Sequence, residues 1–588
     1  MSDDNSSKHI RNFSLSVKTL FLIPLFLGLL ARGVLFFQYF NSPFRFYHTV
    51  RGLDMMTLLA KGEKFIQGNI PFSPLNFLIY TAHSIFPAYF FPEGIIVLQM
   101  ILGILTALLC LWITLMISGN KYTALFAGVI ASLYAPVIIY ETQILKTTVY
   151  LFCSLLAFSL LLYAKKKRFT FLWTSLAGFF ALFPLWERFA GILYPATALL
   201  WIITLSIAHS IKTRNTLAHS KENLPDSIPS DASNNFKFFL HKAVKSSIKP
   251  ILYFSAGMAV SVIMVTAVNK YHNQSSAGYI KANLQYILKT GSTKNADING
   301  QSSSETVNRQ EAIQPSEKMI FYLKKCIDIL RPIQIPNNIN YYFIRERLPI
   351  MKILLGPNLV IPIALTGFFI LIINLRFLKK ESIMFFYAFA SITPIIMFLP
   401  LARYKTLLLP LIAFSSAYAL YYTINARIKQ KLTSKNFLFI LILPVLFIAV
   451  LIQQKTISRY STDIYVYSYA AVHLPVKLME KGKFKEAESI LLHYSQEIPD
   501  APLIKIFLSS SFMGQGKFKD AELLLKNIPI PQKTNLKGRY FFNLAESLRL
   551  QNKNREAALY YKQVLSTPYA YAVTPEIKKF IRHYIEPL

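Results

Sequence analysis

Up to about residue 455 the chain alternates long apolar runs with short polar turns, and beyond it the pattern changes. Apolar stretches of roughly 17–25 residues, the length a helix needs to cross a bilayer, fall near 17–38, 93–117, 121–140, 145–164, 170–185, 187–208, 250–268, 356–376, 382–400, 405–424 and 436–453. This predicts an all-α chain whose residues 1–455 form a polytopic membrane helix bundle of about eleven spans. Only Trp186, Glu187 and Arg188 separate the fifth stretch from the sixth. The first stretch lacks a small-residue cleavage site and reads as a signal anchor. Two polar stretches, 211–236 and 290–317, carry too little apolar surface to offset chain entropy and are expected to be disordered.

After residue 465 the apolar positions take the spacing of amphipathic helices. Gly482, Phe484 and Ala487 recur as Gly516, Phe518 and Ala521, an offset of 34 residues (482 to 516). That is the period of a tetratricopeptide unit. Ala557 follows Ala521 at an offset of 36 residues (521 to 557), with Asn552 at the glycine position. Glycine and asparagine both tolerate the left-handed conformation that ends a helix. Residues 465–588 are therefore predicted to form a soluble α-helical tetratricopeptide repeat domain. Such stacks commonly offer a groove to a protein or peptide partner; the alternative is that three units only cap the rest of the chain.

Charge sets the expected orientation. Lys and Arg number 63 against 29 Asp and Glu, for a net charge of +34. Nucleic acid is one reading of such an excess, but the chain is 53% hydrophobic with a mean hydropathy of +0.39. Retention of basic loops on the cytoplasmic side explains the charge better, and no nucleic-acid partner is expected. The strongly basic short loops, Lys165 to Arg168, Arg376 to Lys380 and Arg427 to Lys435, fall on one side of the predicted bundle. The expectation is a multi-pass inner (plasma) membrane protein with a cytoplasmic N-terminus. The loops 39–92 and 269–355 and the C-terminal domain would then be periplasmic. Cys110, Cys153 and Cys326 make no disulfide or metal-ligand pattern.

Acidic residues are scarce, so those at the mouth of the bundle draw attention. Asp54 lies in the first outer loop, within an amphipathic stretch suited to helices in the plane of the interface. Glu141 lies in the next outer turn, and Arg51, Arg188, Arg403 and Lys405 fall on the same predicted side. Each has a plain reading: a solvated acid, a snorkelling base, or, for Glu187 and Arg188, a local ion pair.

Asp54, Ala60, Gly68 and the Ser73-Pro74-Leu75 segment, in that order before an apolar helix, resemble the first loop of GT-C glycosyltransferases. The likeness is to the bacterial relatives of protein O-mannosyltransferases and lipid-A aminoarabinose transferases. Residues 134–152, 185–195, 335–362 and 399–410 resemble later segments of the same branch in the same order. The individual motifs are loose, and one departs from the pattern: Glu187 stands beside Arg188 where relatives are usually neutral.

The resemblance implies a sugar transferred from a polyprenyl-phosphate donor, held partly by membrane lipid, to a periplasmic protein, lipid or glycan. Asp54 would be the base that takes the acceptor proton. Arg403, then Lys405, Arg188 and Arg51, would bind the phosphate. Glu141 would position the acceptor or join Asp54 in holding a divalent cation; no other cofactor is implied. An O-antigen ligase or polymerase, and a non-catalytic membrane scaffold presenting the repeats, are the competing classes. A reporter fused after residue 460 is expected to give a periplasmic signal; a cytoplasmic one would invert every loop assignment above.

Overall fold

The computed structural model describes residues 16–221, 232–274, 315–373, 382–397, 400–428 and 461–585. Among these the regular structure is helical, with two isolated backbone bridges, Tyr134 to Leu355 and Asn337 to Ile339. The chain divides into two compact units. One holds Met1–Phe36 and Thr57–Ile457, the other Phe37–Met56 and Ser458–Leu588.

Among the described residues, six helical stretches are long and apolar enough to cross a membrane: Val17–Phe40, Ala88–Ser118, Thr147–Lys166, Phe189–Ala208, Ile248–Tyr271 and Ala402–Ile424. Lys121–Leu133, Phe171–Glu187, Pro357–Ile372 and Ile383–Met397 are shorter and apolar. By composition and length the chain is a membrane protein. The expected span 436–453 lies outside the described residues. Thr147–Lys166 is the most buried of the long helices and stands at the centre of the first unit.

Small residues let the helices close up, which in lipid is a main source of helix association. The helices Phe171–Ala181 and Ala232–Tyr271 meet through reciprocal glycines. A Cβ on Gly178 would strike the carbonyl of Phe254, and one on Gly257 the carbonyl of Ser175. Gly367 gives the same close approach to Ser415, where Pro357–Ile373 packs on Leu409–Ile428.

The structure differs from the sequence-based expectation at several places. The 121–140 stretch is two helices, Lys121–Leu133 and Ala135–Glu141, broken at Tyr134 ahead of Pro136. A proline lacks the N–H that would bond four residues back and its ring crowds that carbonyl, so it breaks a continuing helix yet fits the first turn of a new one. The backbone groups freed there pair across the bundle, Ala135 N–H to the Leu355 carbonyl and Leu355 N–H to that of Leu133, each at 3.0 Å. Non-helical backbone at membrane depth needs such protein partners. The 170–185 stretch is likewise interrupted, ending at Ala181 and resuming as Phe183–Glu187 around Pro184.

The stretch 211–236 is helical at both ends. The Leu193 helix continues to Lys221 and another begins at Ala232; 222–231 are outside the description. A helix already nucleated in a span elongates at little further cost, whatever the polarity of the added residues. Most of 290–317 lies outside the described residues, and its last three open the helix Pro315–Leu330.

In the second unit, helices Ser461–Ala471, His473–Glu480, Phe484–Glu497, Pro502–Gly514, Phe518–Lys526, Thr534–Arg549, Asn554–Leu565 and Pro575–Ile585 follow one another through short turns. Three turns share one geometry. Gly482, Gly516 and Asn552 have φ of 74°, 78° and 63°. The next N–H in each case returns to a carbonyl of the preceding helix: Lys483 to Leu478 at 2.9 Å, Lys517 to Phe512 at 2.9 Å, Lys553 to Leu548 at 3.0 Å. This is the Schellman closure that satisfies a helix's last carbonyls. Ala487, Ala521 and Ala557 are fully buried at the matching positions. Glu522 bonds Lys526 on its own helix and Lys553 beyond the next turn, at 2.6 and 2.7 Å.

Phe37–Met56 belongs to this second unit. Its turn Pro43–Thr49 packs on Ser461–Ala471, with the Phe44 ring 5.0 Å from that of Tyr467 and the Phe46 ring 4.8 Å from His473. The beginning of the first loop is thus tied to the C-terminal helices by aromatic contacts between residues 423 positions apart (44 to 467) and 427 apart (46 to 473). Gly516→Ala is expected to cost about 1 kcal/mol by forcing a Cβ into left-handed backbone, read as a lower thermal midpoint of the full chain. Asn552→Gly is expected to leave the midpoint nearly unchanged.

Candidate functional site

Arg188 and Arg403 meet on one phenol. An Arg188 guanidinium N–H donates to the Tyr404 hydroxyl at 2.6 Å and one from Arg403 at 2.9 Å. Both guanidinium carbons lie 4.8 Å from the Tyr404 ring centre. Local backbone sets this up. Arg188 is extended between the helix Phe183–Glu187 and a 3-10 turn at Phe189–Ile192. Arg403 and Tyr404 sit on the short helix Ala402–Lys405 that leads into the Leu409 helix.

Arg188 and Tyr404 border a small cleft, partly open to solvent; Arg403 bonds the Tyr404 hydroxyl but does not line the cleft. Lys146, Thr147, Arg188 and Tyr404 supply its polar rim; Tyr150, Ala190, Pro394, Ile395 and Leu407 supply an apolar wall. The Lys146 ammonium donates to the Glu187 backbone carbonyl at 3.0 Å and lies 3.3 Å from the Glu187 carboxylate. Glu187 is fully buried, and its other oxygen accepts the N–H of Leu75. So Glu187 pairs with Lys146 and not with its chain neighbour Arg188, which turns to Tyr404 instead. The cleft is lined by two cations, Lys146 and Arg188, of which Lys146 has the Glu187 carboxylate as its partner, and planar guanidinium donors match phosphate oxygens.

Behind the cleft lies a second polar centre. Arg32 holds Glu141 in a bidentate pair, 2.6 Å from Nε to Oε2 and 2.7 Å to Oε1. Its remaining amino group donates to the Ser132 carbonyl at 3.1 Å. Both side chains are buried, at 2% and 0% exposure. Gly103 makes the room, since a Cβ there would overlap the Glu141 carboxylate. The helix ending in Glu141 packs on the Ala402–Lys405 turn. Among the described residues the buried Tyr140 hydroxyl of that helix has no hydrogen-bond partner.

The structure thus brings together Arg188 and Arg403. Lys405, next but one in the chain, like Arg403 does not line the cleft. Its ammonium donates to the carbonyls of Asp328, Arg331 (3.0 Å) and Ile333 (2.9 Å), using all three of its donors. Glu141 faces Arg32. Asp54 is half-buried and opens the helix Asp54–Ile66, where a carboxylate favours the helix dipole. Arg51 is exposed in the turn before it. Arg51 and Asp54 belong to the second unit, and the other four to the first.

Among the described residues no group of three or more His, Cys, Asp or Glu side chains is placed to hold a metal. Both Glu141 oxygens are engaged by Arg32, so that carboxylate does not fit the role of a cation ligand. Arg32, Lys146 and Tyr404 escaped the expectations drawn from sequence. Arg32 had a usable signal, a lone charge inside an apolar run. Lys146 had one too, a base on the predicted outer side. Tyr404 had none.

No protein-family model matches the chain, and no curated protein matches it. Among solved structures, the archaeal oligosaccharyltransferase AglB from Archaeoglobus fulgidus, in complex with an inhibitory peptide and a dolichol-phosphate, is similar at a TM-score of 0.36 and 12% identity. The match covers 74% of this chain and 54% of that protein, so the chain spans about half its length. A likeness of that size is too distant to carry function from one protein to the other.

Glu141→Gln leaves the Arg32 guanidinium buried beside a neutral group, and is expected to cost about 3–5 kcal/mol. The double change Arg32→Met with Glu141→Leu is expected to recover much of that loss. Thermal midpoints of the purified full chain check both; a Glu141→Gln protein as stable as its parent would contradict the pairing.

Proposed function

We propose that the chain is a membrane glycosyltransferase of the GT-C kind, taking its sugar from a polyprenyl-phosphate donor. The observation that carries this reading is the convergence of Arg188 and Arg403 on Tyr404, with Arg188 and Tyr404 lining an apolar-walled cleft. A phosphate seated there would replace the phenol oxygen as acceptor of the guanidinium N–H groups. A polyprenyl tail would run along Pro394, Ile395 and Leu407, where water has little to gain. Few ligands other than a lipid phosphate ask for both features in one place.

In this reading an acceptor hydroxyl attacks the anomeric carbon. The new bond joins acceptor oxygen to that carbon, and the bond from carbon to phosphate oxygen breaks with inversion. Its electron pair leaves on the polyprenyl phosphate, whose growing charge the two arginines and Lys146 stabilise. A carboxylate takes the acceptor proton, and Asp54 is proposed for that step on the family resemblance of its loop. Glu141 is proposed as a positioning residue, holding the helix Ala135–Glu141 against the arginine turn through Arg32. Lys405 is proposed to hold that turn from its other side. Arg51, exposed beside Asp54, is proposed to meet donor phosphate as it arrives.

The second unit is proposed to be a tetratricopeptide domain, on the three matching turns at Gly482, Gly516 and Asn552. The bounds 1–455 and 465–588, the periplasmic placing of the repeats and a protein or peptide ligand for them belong to the same proposal.

Transfer from a labelled polyprenyl-phosphate sugar by the purified full chain tests the reading. Arg188→Gln and Arg403→Gln are each expected to lower kcat/KM about 10- to 100-fold, the worth of a hydrogen bond to a charged group. Arg403→Lys should restore little, because an ammonium cannot bind two oxygens in the same plane. Asp54→Asn is expected to lower kcat by at least about 100-fold. A folded Arg188→Gln, Arg403→Gln double variant with full transfer would remove the phosphate site. Full transfer by Asp54→Asn would remove only the base.

A further inference from the structure

The helix Pro315–Leu330 carries an unusual face. Met319, Ile320, Leu323, Ile327 and Leu330 are 79%, 68%, 59%, 43% and 52% exposed. Their spacing puts them on one stripe of an α-helix. The opposite side is closed: Lys325 and Ile329 are buried, and the helix packs on Ile383–Met397. At 16 residues the helix is about 24 Å long, short for a span. It is also too polar to count among the apolar helices.

We infer that this helix lies in the membrane surface, with its exposed stripe sunk into the boundary between headgroups and acyl chains. Where its end is fastened identifies the occupant. Lys405 grips the carbonyls of Asp328, Arg331 and Ile333, and Ala402 N–H donates to the Ile335 carbonyl at 3.0 Å. Ala402 and Lys405 open the apolar helix Ala402–Ile424, so the end of the amphipathic helix is pinned where that helix enters lipid. A face fixed at that level meets bilayer. Lys324, exposed at the edge of the stripe, is placed to reach lipid phosphates while its stem stays apolar; Arg331, just beyond the helix, is paired with Asp328 at 3.0 Å.

The position bears on the cleft without depending on the reaction. The helix it packs on, Ile383–Met397, contributes Pro394 and Ile395 to the cleft's apolar wall. The closed side of the helix, not the lipid along its stripe, is what lies against that element.

Nitroxide labels on the full chain in lipid nanodiscs test this. Leu323→Cys and Lys324→Cys are made in a Cys326→Ser background; Cys110 and Cys153 are buried and out of reach of the label. The label at 323 is expected to collide readily with oxygen and poorly with a water-soluble nickel chelate, at a depth of about 5–10 Å. The label at 324 is expected to show several-fold greater collision with the chelate. Equal chelate access at both sites would place the stripe in water and overturn the inference. Low access to both reagents at 323 would show a protein contact, such as a second copy, and overturn it equally. Met319→Cys, on the same stripe, repeats the measurement if Leu323→Cys does not fold.

Discussion

The first unit is organised around a charge that lipid would not tolerate alone. Arg32 stands within an apolar helix, and burial of an isolated guanidinium costs far more than any one contact returns. Glu141 answers it with both oxygens, while Ser132 takes a further N–H and Gly103 clears the space. The pair fixes where the short helix Ala135–Glu141 ends. From that end a series of polar contacts leads outward. Lys146, just beyond the helix, reaches Glu187; Glu187 holds the backbone of Leu75; Arg188 reaches Tyr404; and Lys405 reaches the 328–333 backbone. Each step joins segments distant in sequence, and the bonds to buried Glu187 and Lys405 satisfy charges that would otherwise be buried without a partner.

This arrangement explains how a positive rim survives next to an apolar wall. Repulsion between Arg188 and Arg403 is softened because both donate to one neutral oxygen and both lie against one ring. Lys146 has Glu187. The cations are thus held in place before any anion arrives, and an anion that enters meets donors already oriented. Preorganised donors are worth more than flexible ones, since no ordering cost falls at the moment of binding.

The readable parts of the chain were those governed by local rules. Helices long and apolar enough to cross a membrane follow from apolar runs, and the matching turns at Gly482 and Gly516 from their offset, left-handed backbone being the physical reason for the glycine. Breaks inside runs were harder. Pro136 and Pro184 mark them, but whether a proline kinks or ends a helix depends on a partner such as Leu355, which sequence does not place. Arg188 and Arg403 were picked out for charge and side, and they do meet. Tyr404, the residue they meet on, has no local signature. Nor does the fold's use of Phe37–Met56, which joins the C-terminal helices through Phe44 and Tyr467.

Three adjacent residues show why composition alone could not assign roles. Arg403, Tyr404 and Lys405 share one short helix, where successive side chains point about 100° apart. Tyr404 lines the cleft and Arg403 bonds its hydroxyl, while Lys405 turns into a cage of carbonyls left by the end of the Pro315 helix and the segment after it. Those carbonyls would face apolar surroundings without it, and a helix C-terminus favours a cation. The same turn therefore binds in two directions. Removing Lys405 would free the 328–335 segment and the arginine turn together, so the charge that does not touch the cleft helps decide the geometry of the charges that do.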